Sequence, residues 1–225
     1  VILDDFDADD LVRVVVMKGA GDKAFVSGAD ISEFKERRNN AEGAAEYTRI
    51  SESARAKLAN FRKPLIAMIK GYCLGGGLAV ALCADMRFAS EDSRFGVPAA
   101  RLGIAYGFDG LRKLVSLVCP AKANEIMFTA QRIGAEDAQQ IGLINRIIQP
   151  EELETTVLGI ATTISNNAPL SVNASKVTIK EIMKDQVDRD MFMLDEITKS
   201  CFDSADYKEG REAFMEKREP MFVGR

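Results

Sequence analysis

The stretch Gly71–Asp85, GYCLGGGLAVALCAD, sets three consecutive glycines between a strand-like apolar run and an alanine- and leucine-rich segment of helical composition. Glycine inside a helix costs about 1 kcal/mol relative to alanine, so Gly75, Gly76 and Gly77 serve something other than helix stability. Backbone N–H groups at a helix start lack an intrahelical acceptor, and the helix dipole adds partial positive charge there. Glycines leave those donors uncovered, so a ligand oxygen can approach them. A second loop, Ser27–Asp30 (SGAD), also follows a strand-like segment that ends in Phe25 and Val26. Two such loops on neighbouring strands could each direct one N–H at a single developing oxyanion. The plainer alternative is that the glycines only allow a helix to pack closely on a strand. Neither loop fits the nucleotide-binding spacings GxGxxG or GxxxxGK(S/T).

Composition narrows the chemistry. The chain of 225 residues has no histidine, which excludes Ser-His-Asp and Cys-His nucleophilic machinery and any histidine-ligated metal. Its four cysteines, Cys73, Cys83, Cys119 and Cys201, show no CxxC spacing, so a metal site is not expected and the thiols are expected reduced in the core. A reducing compartment, the cytoplasm, fits that usage. The net charge of −4 argues against nucleic acid or an anionic membrane as a partner, and no apolar run reaches the ~18 residues of a membrane span. The first residue is Val1 rather than Met, so a targeting signal cannot be read.

The elements that must position the two loops alternate along the chain. Val12–Met17 and Leu65–Ile69 read as buried strands, with a helix between them over Ala44–Phe61, where Ile50, Ala54, Leu58 and Phe61 recur at helical spacing. Asp30 or Ser27 could cap a short helix after the first loop. Met86–Ser90 and Arg94–Val97 are strand-like, and Asp109 could cap the helix that carries Leu111, Leu114, Val115 and Val118. Pro120 opens a second helix, Ala135–Ile141 is a third, and Leu143–Ile148 is a strand. Such alternation implies an α/β core. From Glu151 strand signals stop. A stripe of Val172, Ser175, Ile179, Ile182 and Met183 leads into helix rich in Met191, Met193, Phe214, Met215 and Phe222, whose apolar side chains are expected to pack and suit a subunit interface.

Several ordered segments, AFVSGADISEF, KPLIAMIKGYCLGGGLAVALCAD, FGVPAARLGI, AEDAQQIGLINRI and DSADYKEGREAFMEKREPMF, together resemble the crotonase (enoyl-CoA hydratase/isomerase) superfamily over nearly the whole chain. The resemblance implies an α/β fold with a crotonase-like ββα superhelix over residues 1–150, short of an N-terminal portion, and a helical trimerisation region over 151–225. It implies an acyl-CoA substrate, no cofactor beyond the coenzyme A of that substrate, and a homotrimer or dimer of trimers. It assigns the oxyanion donors to the N–H groups of Ala29 and Gly76. The CoA arm would lie along Ser27, Gly28, Asp30 and Ile31, with Gly75 beside it.

The sequence departs from that pattern where the proton chemistry should be. Hydratases of the family carry glutamates two residues after the third glycine and directly after the proline of FGxP, and here those positions are Ala79 and Ala99. A positioned acid or base is worth roughly 10² to 10⁴ in rate, and alanine transfers no proton. Tyr106 and Asp109, in GIAYGFDG, are the polar residues placed to substitute, and Arg101 could bind a substrate carboxylate or the CoA phosphates. The segment RLGIAYGFDGLRKL also resembles methylmalonyl-CoA decarboxylases, in which a tyrosine at the matching position holds the carboxylate to be lost, although those enzymes have a histidine where this chain has Ala29. Three functions follow: a hydratase/isomerase-type enzyme with substitute groups, an acyl-CoA decarboxylase, or a catalytically weak acyl-CoA-binding protein.

Overall fold

The computed structural model describes residues 2–28 and 41–225 and divides into two compact units. The first comprises residues 1–4, 16–61 and 65–157; the second comprises 5–15, 62–64 and 158–225. The second unit thus takes two short N-terminal segments as well as the helical end of the chain.

In the first unit, strands come in pairs. β1 (Val15–Lys18), β3 (Leu65–Ile69) and β5 (Met86–Ser90) enter one sheet, and β2 (Ala24–Val26), β4 (Tyr72–Leu74) and β6 (Arg94–Gly96) enter another. The first sheet is completed by β8 (Arg146–Ile148) in the order β1-β3-β5-β8, the second by β7 (Ile133–Gly134) in the order β2-β4-β6-β7. Helices follow the pairs: α2 (Ala41–Ala59), α3 (Gly76–Ala81) and, after a 3₁₀ turn at Pro98–Leu102, α4 (Phe108–Thr129). A short helix, α1 (Ile2–Ala8), precedes β1, and α5 (Ala135–Gln140) lies between β7 and β8. This repeat of strand, strand and helix is the expected α/β, ββα architecture.

The pairings β3–β5, β5–β8, β2–β4 and β4–β6 are parallel, and β6–β7 is antiparallel. Strands of a parallel sheet are covered on both faces, so they read as unbroken apolar runs. β3, Leu-Ile-Ala-Met-Ile, is buried at every position. Arg87 of β5 is also buried, and its guanidinium donates to the carbonyls of Leu143 (2.8 Å) and Ala84 (2.7 Å), which ties the β8 approach to the sheet. Burial lowers the pKa of Arg87 and pushes that of the Cys73 thiol up to about 12.

Several expectations need correction. Cys73 and Cys83 are buried, but Cys119 is exposed and Cys201 is half-buried. Cys119 occupies the break between the two expected helices, at φ 65° and ψ 162°, immediately before Pro120. The cap of α4 is Gly107, not Asp109, which sits inside the first turn. A three-residue strand, β4, separates β3 from the glycines.

The second unit continues α6 (Leu153–Asn166), which begins in the first, with α7 (Pro169–Ile182), α8 (Met191–Phe202) and α9 (Ala205–Glu216). Asp190 caps α8 by accepting from the Met193 N–H, and Ser204 caps α9 by accepting from the Tyr207 N–H. The terminal motif is held by its own polar groups. The buried Asp206 carboxylate accepts from the N–H groups of Val223 and Gly224, and Glu209 takes both guanidinium branches of Arg218 at 2.6 and 3.0 Å. Of the apolar residues expected to pack and to suit a subunit interface, Ile179, Ile182, Met183, Met191, Phe214 and Met215 are exposed on this chain, Phe214 to 85%. No described helix is long and apolar enough to cross a membrane.

Candidate active site

The three glycines do three different things. Gly75, the cap of α3, has φ 54° and ψ −118°, a region that side chains avoid. Its N–H donates to the Gly96 carbonyl (2.8 Å), which fixes the turn to β6. Gly77 faces β2 so closely that a Cβ there would stand 2.0 Å from the Val26 carbonyl oxygen. Gly76, between them, is the first residue of α3, and its N–H has no acceptor among the described residues. The close-packing reading therefore holds for Gly77, and an uncovered donor is left at Gly76.

Gly76 lines a cavity of about 420 Å³ that lies wholly within the first unit. Ser27, Gly28, Gly75, Gly76, Tyr106 and Asp109 all line it. Ala79 and Ala99 line it as well, Ala99 only 3% exposed, so both positions present methyl groups to the interior. Arg101 does not line the cavity; it is exposed on the 3₁₀ turn. Ala29, Asp30 and Ile31 lie outside the described residues.

Tyr106 crosses from the α4 side to the glycine turn. A Cβ built on Gly75 would be 3.9 Å from its hydroxyl, and one on Gly110 would be 3.6 Å from its ring. The other wall is α2, which contributes Tyr47, Thr48, Ser51, Glu52, Arg55 and Ala56. Their spacing of four places them on one helical face. That face is not the one marked by Ile50, which is 54% exposed. Of the described lining residues, Glu52 and Asp109 carry carboxylates, and Arg55, Arg112 and Lys113 carry positive charge. Lys113 Nζ reaches the Cys83 thiol at 3.4 Å, and that thiol donates to the Ala79 carbonyl at 3.3 Å, so this pair supports the wall beneath position 79. The alanine- and cation-rich lining suits an apolar acyl group attached to an anionic carrier. Among the described residues no group of His, Cys, Asp or Glu is arranged to hold a metal ion.

Comparison with known proteins bears on the family and the fold. The family model described as Enoyl-CoA hydratase/isomerase matches residues 1–225. The short-chain-enoyl-CoA hydratase of Clostridium acetobutylicum is 40% identical over 217 residues, 96% of this chain and 82% of that protein. The crotonyl-CoA hydratase of Syntrophomonas wolfei is 38% identical, over 96% of this chain and 83% of that protein. Among solved structures, an enoyl-CoA hydratase/carnithine racemase from Magnetospirillum magneticum superposes with a TM-score of 0.94 at 34% identity, covering 99% of this chain and 83% of that one.

Proposed function

The chain belongs to the enoyl-CoA hydratase/isomerase family, and from that premise we propose that it is an acyl-CoA enzyme of hydratase/isomerase type that stabilises a thioester enolate. The observation that carries the reading is the unpartnered Gly76 N–H at a cavity wall of the size and lining that fit an acyl group. Addition next to a thioester, or removal of its α-proton, moves negative charge onto the carbonyl oxygen. A donor fixed where that charge appears lowers the barrier because it needs no reorganisation. Ala29 supplies the second donor in this reading, and Ser27, Gly28, Asp30 and Ile31 follow the CoA arm. Arg101 binds a charged part of the substrate outside the cavity.

With Ala79 and Ala99 in place of the family's glutamates, proton transfer falls to other polar groups. Tyr106 and Asp109 are in the cavity, and Asp109 is not occupied as a helix cap. No cofactor beyond coenzyme A takes part, and the protein acts in the cytoplasm. The exposed apolar faces of α7, α8 and α9 support assembly into a trimer or a dimer of trimers.

One observation favours a second reaction, decarboxylation of a methylmalonyl-CoA-like substrate. The Tyr106 hydroxyl lies beside the glycine turn, where it would orient a carboxylate, and loss of carbon dioxide leaves the same enolate without a strong base. A panel of crotonyl-CoA, longer enoyl-CoAs and methylmalonyl-CoA separates the two, read by loss of enoyl thioester absorbance and by carbon dioxide release. Hydration is the expected activity. Tight acyl-CoA binding with no turnover on any of them would refute both and leave a binding protein.

A further inference from the structure

We propose that Glu52 is the acid–base group of this cavity, acting in place of the carboxylates that positions 79 and 99 lack. The inference rests on the hydratase/isomerase reading and adds a residue that the family resemblance does not assign. Glu52 and Asp109 are the carboxylates among the described lining residues. Neither has a hydrogen-bond or ion-pair partner among the described residues, so neither is committed to holding the fold together.

Glu52 is the better placed of the two. Its Oε1 lies 3.3 Å from the position a Gly107 Cβ would take, directly beside Tyr106, whose hydroxyl reaches the Gly75 turn. Glu52 thus lies against Gly107, next in sequence to Tyr106, whose hydroxyl is near Gly75, the residue before Gly76, and all of these residues line the cavity. A Cβ at 107 would press on the Glu52 carboxylate, which would have to give by a few tenths of an ångström. The side chain stands on a regular helix, α2, whose face is turned to the cavity over three turns.

In hydration, Glu52 takes one proton from water as the water oxygen bonds to the β-carbon of the enoyl thioester. The π electrons of the double bond move toward the carbonyl and form the enolate, whose oxygen accepts from the Gly76 N–H. The protonated Glu52 then returns its proton to the α-carbon, the enolate electrons form that C–H bond, and the carboxylate is regenerated. Water has been added across the double bond, and no other donor is consumed.

Glu52→Ala and Glu52→Gln test this. Each is expected to lower kcat for enoyl-CoA hydration by at least ~100-fold while KM stays within about threefold, because an acid–base group acts in the transition state. Formate should restore Glu52→Ala at least ~10-fold and leave Glu52→Gln unchanged, since only the alanine variant leaves room for a small carboxylate. The same variants should slow exchange of the α-protons of butyryl-CoA with D₂O. Full turnover in both variants, or a loss that raises KM in step and that formate does not relieve, would overturn the role of Glu52 while the acyl-CoA reading stands. Wild-type protein that binds acyl-CoA but neither hydrates nor exchanges would overturn both.

Discussion

Replacing Gly76 by proline isolates the oxyanion donor. Gly76 is the first residue of α3, the helix position that best tolerates proline, because the missing N–H has no helical acceptor there and the ring's fixed φ suits the helix. The preceding residue is restricted before proline toward extended backbone. Gly75, at φ 54° and ψ −118°, is in a region that glycine alone occupies freely and is far from the α conformation that a following proline disfavours. No hydrogen bond among the described residues is lost, because the Gly76 N–H has no acceptor. Stability should therefore change by less than about 1 kcal/mol. Catalysis should not be spared. Removal of one oxyanion donor costs about 3 to 4 kcal/mol of transition-state stabilisation, which at 1.36 kcal/mol per tenfold is a fall of roughly 10² to 10³ in kcat. Steady-state kinetics on enoyl-CoA, with thermal unfolding and acyl-CoA binding measured on the same preparation, reads all three quantities. A folded, acyl-CoA-binding Gly76→Pro variant with wild-type kcat would refute the oxyanion role.

Three further outcomes are expected. Gly77→Ala places a Cβ 2.0 Å from the Val26 carbonyl oxygen, and overpacking against backbone should cost about 3 kcal/mol or more in urea unfolding; a change below 1 kcal/mol would contradict that close approach. Tyr106→Phe removes the hydroxyl beside the glycine turn, and loss of a hydrogen bond to a charged group should lower kcat roughly 10- to 100-fold, whereas a packing role would leave it unchanged. Glu209, held by Arg218 and the Met221 N–H, has its carboxyl lowered from an ordinary 4.5 to about 2. A depressed folded-state value stabilises above the ordinary carboxylate range and is lost as pH falls toward 2, so Glu209→Gln should be less stable than wild type at pH 7 and converge with it near pH 2. Urea midpoints across that window check the sign, and a gap that widens with acid would reverse it.

What the sequence made legible follows from the length of each signal. β3 matches its expected limits because both-face burial leaves a five-residue apolar run, and β5 matches although Arg87 and Ser90 interrupt it, whereas β4 and β7, at three and two residues, are too short for any period to register. The helix over α2 is evident in sequence, but its apolar spacing through Ile50 points away from the cavity. The working face, with Thr48, Glu52 and Ala56 four apart, looks in sequence like an ordinary solvated stripe, so Glu52 and Arg55 go unnoticed. The glycine loop stands out because glycine is costly inside a helix, and Tyr106 because it follows Ala99 in a segment that resembles a decarboxylase loop with a tyrosine at the matching position. Arg101 is near Ala99 in sequence but not on its face: both lie in the 3₁₀ turn Pro98–Leu102, where only residues three apart eclipse, so Ala99 is buried and Arg101 exposed.

The pairing of distant strands also sets when the protein becomes competent during synthesis. Every described residue of the cavity wall lies between Ser27 and Lys113, yet the first sheet is completed only when Arg146–Ile148 pairs with Phe88–Ser90. A nascent chain that has already emerged through Lys113 carries the whole described wall but lacks the strand beside β5 and the Leu143 carbonyl that receives the buried Arg87. Long-range parallel pairing forms late because loop closure must be offset before its contacts form. Until then one of the two Arg87 hydrogen bonds is unmade and the β5 edge stays open, so the interval between Lys113 and Ile148 leaves an unpaired strand edge available for misassembly.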